Sequence, residues 1–249
     1  MELNICHLYP DILNLYGDRG NIITMKRRLE SRGISVTVDE CSIGQPLDVN
    51  KYDIFFIGGG QDFEQEVLLR DLASGKGKDI CTAVEEEKVF LAICGGYQMM
   101  GEVLEDAMGV ESDLPSRTAG MGLLPLKTEF EKEKIRTQVE GAFGQLDGCL
   151  GGLSGKSIEG YEIHMGRTYI DREEGAADTA RIVSWRREPE ICRPMDYVME
   201  MGKDRLLSRK ARMDGWNRGN IYGTYVHGIF DSPGIARTVA EALAGAKGL

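Results

Sequence analysis

The fold and the chemistry of this chain depend on one stretch, Val89-Phe90-Leu91-Ala92-Ile93-Cys94-Gly95-Gly96-Tyr97-Gln98. A short apolar run that ends at glycine is typical of a buried strand. The residues that follow, 97–104, have the pattern of the first turns of a helix. Cys94 is therefore predicted to stand on a tight strand-to-helix turn, which lifts its side chain out of the sheet and aims it at solvent.

In this position Cys94 is predicted to be a nucleophile. Ala92 and Gly96 flank it, as expected where a sharp turn leaves no room for larger side chains. The helix N-terminus beside the sulfur favours the thiolate. The alternative is a buried structural cysteine, because free cysteines are often buried. The strand-to-helix turn favours the nucleophile over that alternative.

The composition excludes several classes of protein. The chain has 249 residues, a net charge of −10 and a pI of about 5.0, which argues against binding to nucleic acid. Neither a membrane span nor a signal peptide is visible in the sequence. The six cysteines are scattered without a CxxC pair, so neither zinc nor a disulfide framework is expected. Reduced thiols fit a cytoplasmic protein.

Strands and helices are predicted to alternate along the chain. The predicted strands are 2–8, 34–38, 53–57 and 89–93, and the helices between them are 22–32, 61–72 and 79–87. Further strands are predicted at 156–163 and 168–170, and a late strand and a helix follow at 220–227 and 234–243. This alternation predicts an α/β fold with a mostly parallel central sheet and helices on both faces. Residues 1–249 are expected to form a single domain, in which the charged segment 172–212 is interpreted as a variable insertion.

The triplet Gly58-Gly59-Gly60 ends the predicted strand 53–57. Sites in such sheets lie beyond the carboxyl ends of the strands, so the triplet and Cys94 are expected to share one crevice. A phosphate cradle is disfavoured because the chain has neither GxGxxG nor GxxxxGK[ST] there. Bare backbone N–H groups beside a reacting carbonyl suit a cysteine acyl-transfer site better. A simple turn stays the third interpretation.

A cysteine nucleophile needs a general base, and the chain has three histidines, His7, His164 and His227. His227 ends a β-rich run and precedes a glycine, which predicts that it too lies at the carboxyl end of a strand. His164 is the rival candidate. A Cys–His pair supports nucleophilic acyl chemistry, with the imidazole carrying a proton from the thiol to the leaving amine. No histidine pair has the spacing of metal ligands.

Taken together, the Cys94 turn, the glycine triplet and the His227 strand end resemble class I glutamine amidotransferases, in their cobyric-acid-synthase-like branch. The resemblance covers nearly the whole chain. Residues 8–22 and 56–66 resemble the glutaminase subunit of lipid II isoglutaminyl synthase, whereas 160–168 and 223–231 resemble the glutaminase domain of cobyric acid synthase. The length of the chain favours the first of these two subfamilies, which is free-standing.

The resemblance implies a flavodoxin-like fold and hydrolysis of glutamine to glutamate and ammonia through a thioester on Cys94. It implies that the amides of Gly60 and Gly95 hold the oxyanion and that Gln98 lies near bound glutamine. No cofactor is implied for this chain. The implied partner is a Mur-ligase-like synthetase subunit in a heterodimer, which uses ATP and Mg and amidates the D-glutamate of the lipid II stem peptide.

The sequence departs from the common class I pattern at Ile229, where many members have a glutamate two residues after the histidine. The acid that orients His227 is thus left open between Asp231, Glu162 and a carboxylate of the partner. This departure leads us to expect a weak glutaminase that needs its partner. Two alternatives from other classes are a stand-alone cysteine hydrolase and a catalytically silent binding subunit.

Overall fold

The computed structural model describes residues 2–14, 16–60, 62–111, 114–170, 192–200, 211–230 and 233–246. Their strands form one 11-stranded sheet: β1 (Glu2–Leu8), β2 (Ser35–Cys41), β3 (Ile54–Ile57), β4 (Val89–Ile93), β5 (Val103–Asp106), β6 (Ser116–Ala119), β7 (Leu126–Phe143), β8 (Ser157–Ile170), β9 (Arg193–Glu200), β10 (Arg212–Arg218) and β11 (Ile221–Thr224). The α-helices of the same residues are α1 (Arg19–Glu30), α2 (Asp62–Asp71), α3 (Gly77–Glu85), α4 (Gly95–Met99) and α5 (Pro233–Ala246).

The first half of the sheet is parallel, in the order β2-β1-β3-β4-β11. Its central strands β3 and β4 are buried at every position, as parallel strands covered on both faces must be. The connection from β1 to β2 crosses the sheet in one direction, and the connection from β3 to β4 crosses it in the opposite direction. Because such crossovers are right-handed, α1 lies on one face and α2 and α3 lie on the other. The predicted α/β class with a mostly parallel central sheet is confirmed.

The second half of the sheet is mostly antiparallel, and the sequence did not predict it. Strands β10, β9, β7 and β8 follow β11, and a bridge between Tyr161 of β8 and His227 closes these strands into a barrel. Part of the segment 172–212, interpreted as an insertion, is the integral strand β9. Residues 172–191 and 201–210 of that segment lie outside the described residues.

The helix predicted over 97–104 was wrong in its second half. Helix α4 ends at Met99, and Val103–Asp106 forms β5. The chain turns at Gly101, where a Cβ would lie 2.7 Å from the carbonyl oxygen of Leu126. A short apolar run has no periodicity that distinguishes a strand from a helix, and here the run pairs with other strands of the sheet. None of the described helices is long and apolar enough to cross a membrane.

Candidate active site

Cys94 stands between β4 and α4 in a backbone conformation that non-glycine residues rarely adopt, with φ 51° and ψ −112°. The surrounding structure holds this strained turn in place. The amide of Cys94 donates to the Thr224 carbonyl at 2.9 Å, and its carbonyl accepts from the amide of Gln98 at 3.0 Å. Backbone strain of this kind is common at functional sites, where contacts with the surrounding structure maintain it. The turn is a nucleophile elbow of the kind that the sequence predicted.

Gly96 must be small for the elbow to pack against β3. A Cβ on this residue would lie 2.8 Å from the carbonyl oxygens of both Ile57 and Gly58. Gly96→Ala is therefore expected to lower the free energy of unfolding by about 2 kcal/mol, as overpacked cores do. Gly20→Ala is the matched control, because a Cβ there meets nothing within 4 Å and alanine favours the helix α1. Urea denaturation measures both variants, and equal midpoints would contradict the steric argument.

The glycine triplet at the end of β3 packs against three separate parts of the site. A Cβ on Gly58 would lie 2.9 Å from the Cβ of Asp18, and one on Gly59 would lie 2.9 Å from the Cβ of Cys94. The amide nitrogen of Gly60 lies 3.5 Å from the position of a Cβ on Gly95. The backbones of Gly60 and Gly95 therefore approach each other closely beside the elbow, as an oxyanion site requires.

Asp18 is the acid that contacts His227. The Nδ1–H of His227 donates to Oδ1 of Asp18 at 2.7 Å, and the amide of Gly59 donates to Oδ2 of the same carboxylate at 2.6 Å. Both side chains are fully buried. Because the carboxylate accepts at Nδ1, the neutral imidazole presents a lone pair at Nε2. This is the tautomer that a general base for a thiol needs.

Sequence reasoning missed Asp18 and considered other acids. Of these, Glu162 was wrong, because its carboxylate pairs with Arg212 inside the barrel instead of with His227. Asp231 lies outside the described residues. A signal was available in Asp18-Arg19-Gly20-Asn21, a polar segment where the loop after β1 meets the start of α1. The carboxyl end of β1 adjoins that of β3, so this loop was bound to lie beside the glycine triplet.

His164, the rival candidate for the base, lies in the barrel. Its Nδ1–H donates to the Gly166 carbonyl at 2.8 Å, and its ring stacks on Tyr225 with a centroid distance of 3.7 Å. Its Nε2 lies 3.9 Å from the carboxylate of Glu162. His164 therefore belongs to a buried network behind the site, while His227 is the histidine paired with an acid at the elbow.

Cys94 and His227 meet in one place, between the glycine triplet and strand β8. A Cβ on Gly59 would lie 3.3 Å from the sulfur of Cys94 and 3.2 Å from Oδ2 of Asp18, the residue that holds His227. From the other side, the Tyr161 carbonyl accepts from the amide of His227 at 2.9 Å. Two residues further along β8, the Ile163 carbonyl accepts from the thiol of Cys94 at 3.7 Å.

A cleft of about 600 Å³ opens beside this pair. It is lined by the β1–α1 loop, β7 and β8, with Tyr16, Gly17, Arg136, Gln138, Tyr161 and Ile163 among the lining residues. The ring of Tyr161 stacks on His227 with a centroid distance of 5.0 Å, and its hydroxyl donates to the Tyr16 carbonyl at 2.5 Å. The cleft is large enough for an amino acid and carries a cationic side chain, Arg136, in its wall.

Gln98 is buried behind the elbow, with 1% of its surface exposed. Its Oε1 accepts from Nε2 of Gln65 at 2.6 Å, and its own Nε2 donates to the hydroxyl of Tyr225 at 3.2 Å. These bonds tie α4 to α2 and to the barrel, so Gln98 supports the elbow. Its expected contact with glutamine stays a prediction. Among the described residues, no group of three or more His, Cys, Asp or Glu side chains is placed to hold a metal ion.

Solved structures share this fold along the entire chain. "Structure of PurLQS from Thermotoga maritima" superposes with a TM-score of 0.57 at 16% identity, over 99% of this chain and 100% of the other. The Trypanosoma brucei CTPS glutaminase domain with bound acivicin superposes with a TM-score of 0.53 at 10% identity, over 99% and 94%. At these identities the similarity establishes the architecture. An elbow cysteine, an acid-paired histidine and this architecture define the class I glutamine amidotransferases.

The chain belongs to the CobB/CobQ-like glutamine amidotransferase domain family, whose model matches residues 4–235. Cobyric acid synthase of Ruminiclostridium cellulolyticum is 42% identical over 70% of this chain and 30% of its own length. Lipid II isoglutaminyl synthase subunit GatD of Streptococcus pneumoniae is 30% identical over 91% of this chain and 74% of its own. The chain thus spans about a third of that cobyric acid synthase.

Proposed function

We propose that Cys94 is the nucleophile and His227 the general base of the glutaminase reaction. Nε2 of His227 takes the thiol proton, and the sulfur attacks the side-chain amide carbon of glutamine. The protonated imidazole then gives this proton to the leaving nitrogen, so that ammonia departs and a thioester remains. Water, deprotonated by Nε2, cleaves the thioester to release glutamate and restore the thiol. Asp18 stabilises the imidazolium that forms twice in this cycle.

One observation carries this assignment, namely the bond between Asp18 and His227 beside the elbow. The carboxylate is buried, and both of its oxygens accept hydrogen bonds: Oδ1 from Nδ1 of His227 and Nδ2 of Asn21, and Oδ2 from the amide of Gly59. This arrangement orients the ring and holds it against the strand end that packs on Cys94. We place the developing oxyanion at the amides of Gly60 and Gly95, where fixed dipoles need no reorganisation during the reaction.

For the fate of the ammonia, we propose transfer to an ATP-dependent, Mur-ligase-like synthetase that amidates the D-glutamate of the lipid II stem peptide. The support is the GatD relative, whose alignment spans most of both chains. A corrinoid acceptor is the second candidate, since the cobyric acid synthase relative has the higher identity, 42%, over a shorter alignment. We further propose that the isolated chain is a weak glutaminase and that the synthetase stimulates it.

Glutamine labelled with ¹⁵N in its side-chain amide decides between these acceptors. The chain is mixed with ATP, Mg and either a Mur-ligase-like synthetase with lipid II or the amide-ligase part of a cobyric acid synthase with its corrinoid substrate. We expect label in lipid II and faster glutamate release in the first mixture. Label in the corrinoid alone would overturn the lipid II assignment, and equal glutamate release with and without the synthetase would overturn the stimulation.

The control is the Cys94→Ala variant in the same mixtures. It is expected to block amidation from glutamine and to leave amidation from added ammonium chloride intact, because the synthetase needs only ammonia. Amidation from glutamine by this variant would mean that the nitrogen does not pass through Cys94.

A further inference from the structure

Strand β8 contacts both reacting residues through one edge. Its other edge pairs with β7 along most of its length. On the edge facing the elbow, the Tyr161 carbonyl accepts from the amide of His227 at 2.9 Å, and the Ile163 carbonyl accepts from the thiol of Cys94 at 3.7 Å. Alternate residues of a strand direct their backbone groups to the same edge, so the two carbonyls act from one rigid element.

The second of these bonds defines the state of the sulfur. A carbonyl oxygen can only accept, so this contact favours the protonated thiol, with its hydrogen toward Ile163. Nε2 of His227 is buried and has no hydrogen-bond partner in the part of the chain that the structure describes. The proton of Cys94 is therefore directed at β8 and away from the base. Hydrogen bonding to the neutral form of an acid opposes its ionisation.

The position of the Ile163 carbonyl depends on its neighbour Glu162, whose side chain enters the barrel. Glu162 is fully buried and pairs with the guanidinium of Arg212 on β10. Arg212 in turn lies 3.5 Å from Oδ1 of Asp214. Burial raises the pKa of Asp214 to about 6, with the nearby Glu162 adding to the shift. The positive charge of Arg212 thus compensates the negative charges of Glu162 and Asp214, and its bond to Glu162 holds β8 in place beside Ile163.

We propose that Arg212 and Glu162 are positioning residues for the nucleophile: they hold the Ile163 carbonyl where it keeps the Cys94 thiol protonated and turned from His227. This inference rests on the proposed role of Cys94. Attack on glutamine then requires the thiol to leave this carbonyl, so any movement of β8 against the barrel changes the fraction of reactive thiolate. Removing the Arg212–Glu162 pair releases the carbonyl and makes the thiol easier to ionise.

Several charged or titratable groups surround the two side chains that this inference invokes. Asp18 and His227 face the elbow from the cleft side, and Tyr225 faces Cys94 from the barrel. His164, Arg212 and Asp214 surround Glu162. Of these groups Arg212 is a third exposed and does not touch the elbow, so it is the residue to replace.

The test is the rate at which iodoacetamide alkylates Cys94, followed by mass spectrometry between pH 5 and 10. The double variant Arg212→Gln with Glu162→Gln, which removes the pair without leaving either charge unpaired, is expected to move the midpoint of this profile down by about half to one pH unit, the size of one hydrogen bond. Alkylation at pH 7 then becomes roughly three- to tenfold faster. Arg193→Gln is the matched control, because it removes an arginine–aspartate pair, with Asp147, that does not involve β8. It should keep the parent midpoint.

A second variant, Glu162→Gln, keeps the size of the side chain and is expected to shift the midpoint in the same direction. It provides the test if circular dichroism shows that the double variant does not fold. A midpoint that stays the same or rises in the folded variants would overturn the inference. Alkylation requires no glutamine turnover. A parent chain that is alkylated but releases no glutamate would therefore refute the proposed function, and this inference would still be decided by the alkylation midpoints of the variants.

Discussion

The variant Cys94→Ala is expected to release no measurable glutamate from glutamine, a loss of about 10⁶-fold in kcat, because removing the nucleophile of a covalent mechanism leaves only weak residual catalysis. The fold should persist. Cys94 lies at the elbow with little of its surface exposed, and alanine fits the same space. Glutamate is measured by a coupled dehydrogenase assay, and covalent labelling by diazo-oxo-norleucine is followed by mass spectrometry on the same samples.

The control for this prediction is Cys149→Ala. Cys149 lies in the short helical segment Gly148–Leu153, away from the residues that line the cleft. This variant should keep both the activity and the label of the parent chain. Turnover by Cys94→Ala above about one part in a thousand of the parent rate would show that another group performs the attack, since nucleophile knockouts in such mechanisms fall well below that level.

Asp18→Asn is expected to lower kcat by about 10²- to 10⁴-fold, with a smaller effect on KM. Three N–H donors contact the carboxylate: Nδ1 of His227 and Nδ2 of Asn21 donate to Oδ1, and the amide of Gly59 donates to Oδ2. An asparagine has one carbonyl oxygen and one NH₂ group, so one of those donors must face another donor. Either the ring turns, or His227 moves its proton to Nε2, and in both cases the base is lost.

Asp11→Asn provides the comparison, because Asp11 is exposed in the same loop and its carboxylate accepts from the hydroxyl of Ser42. It should behave as the parent chain does. The pH dependence of kcat/KM gives a second readout, because a merely destabilised protein would keep the shape of its profile. A folded Asp18→Asn variant within tenfold of the parent rate would rule out Asp18 as the orienting acid.

Local sequence patterns were sufficient to predict the strands in the parallel half of the sheet. Strands β3 and β4 are continuous apolar runs and β1 mixes apolar with polar residues, and each prediction for these three strands held to within a residue. The segment after Cys94 was different. Val103–Asp106 has no periodicity of its own, and its pairing with β7 decided its conformation. Of the barrel strands, most of β8 was predicted, as strands over 156–163 and 168–170. The pairing of the barrel strands was not predicted, because it joins residues that are far apart in the sequence.

The sequence by itself determined the strained cysteine turn, the glycines around it and the histidine at a strand end. Each of these is a local signal, because backbone sterics and the carboxyl-end rule act within a few residues. Only the tertiary structure decided which acid holds His227. Asp18 stands 209 residues away in the chain, and no local pattern pairs the two. The same is true of β8, whose carbonyls reach Cys94 and His227 only because the antiparallel strands close into a barrel, and closure of a barrel is set by the packing of the whole sheet.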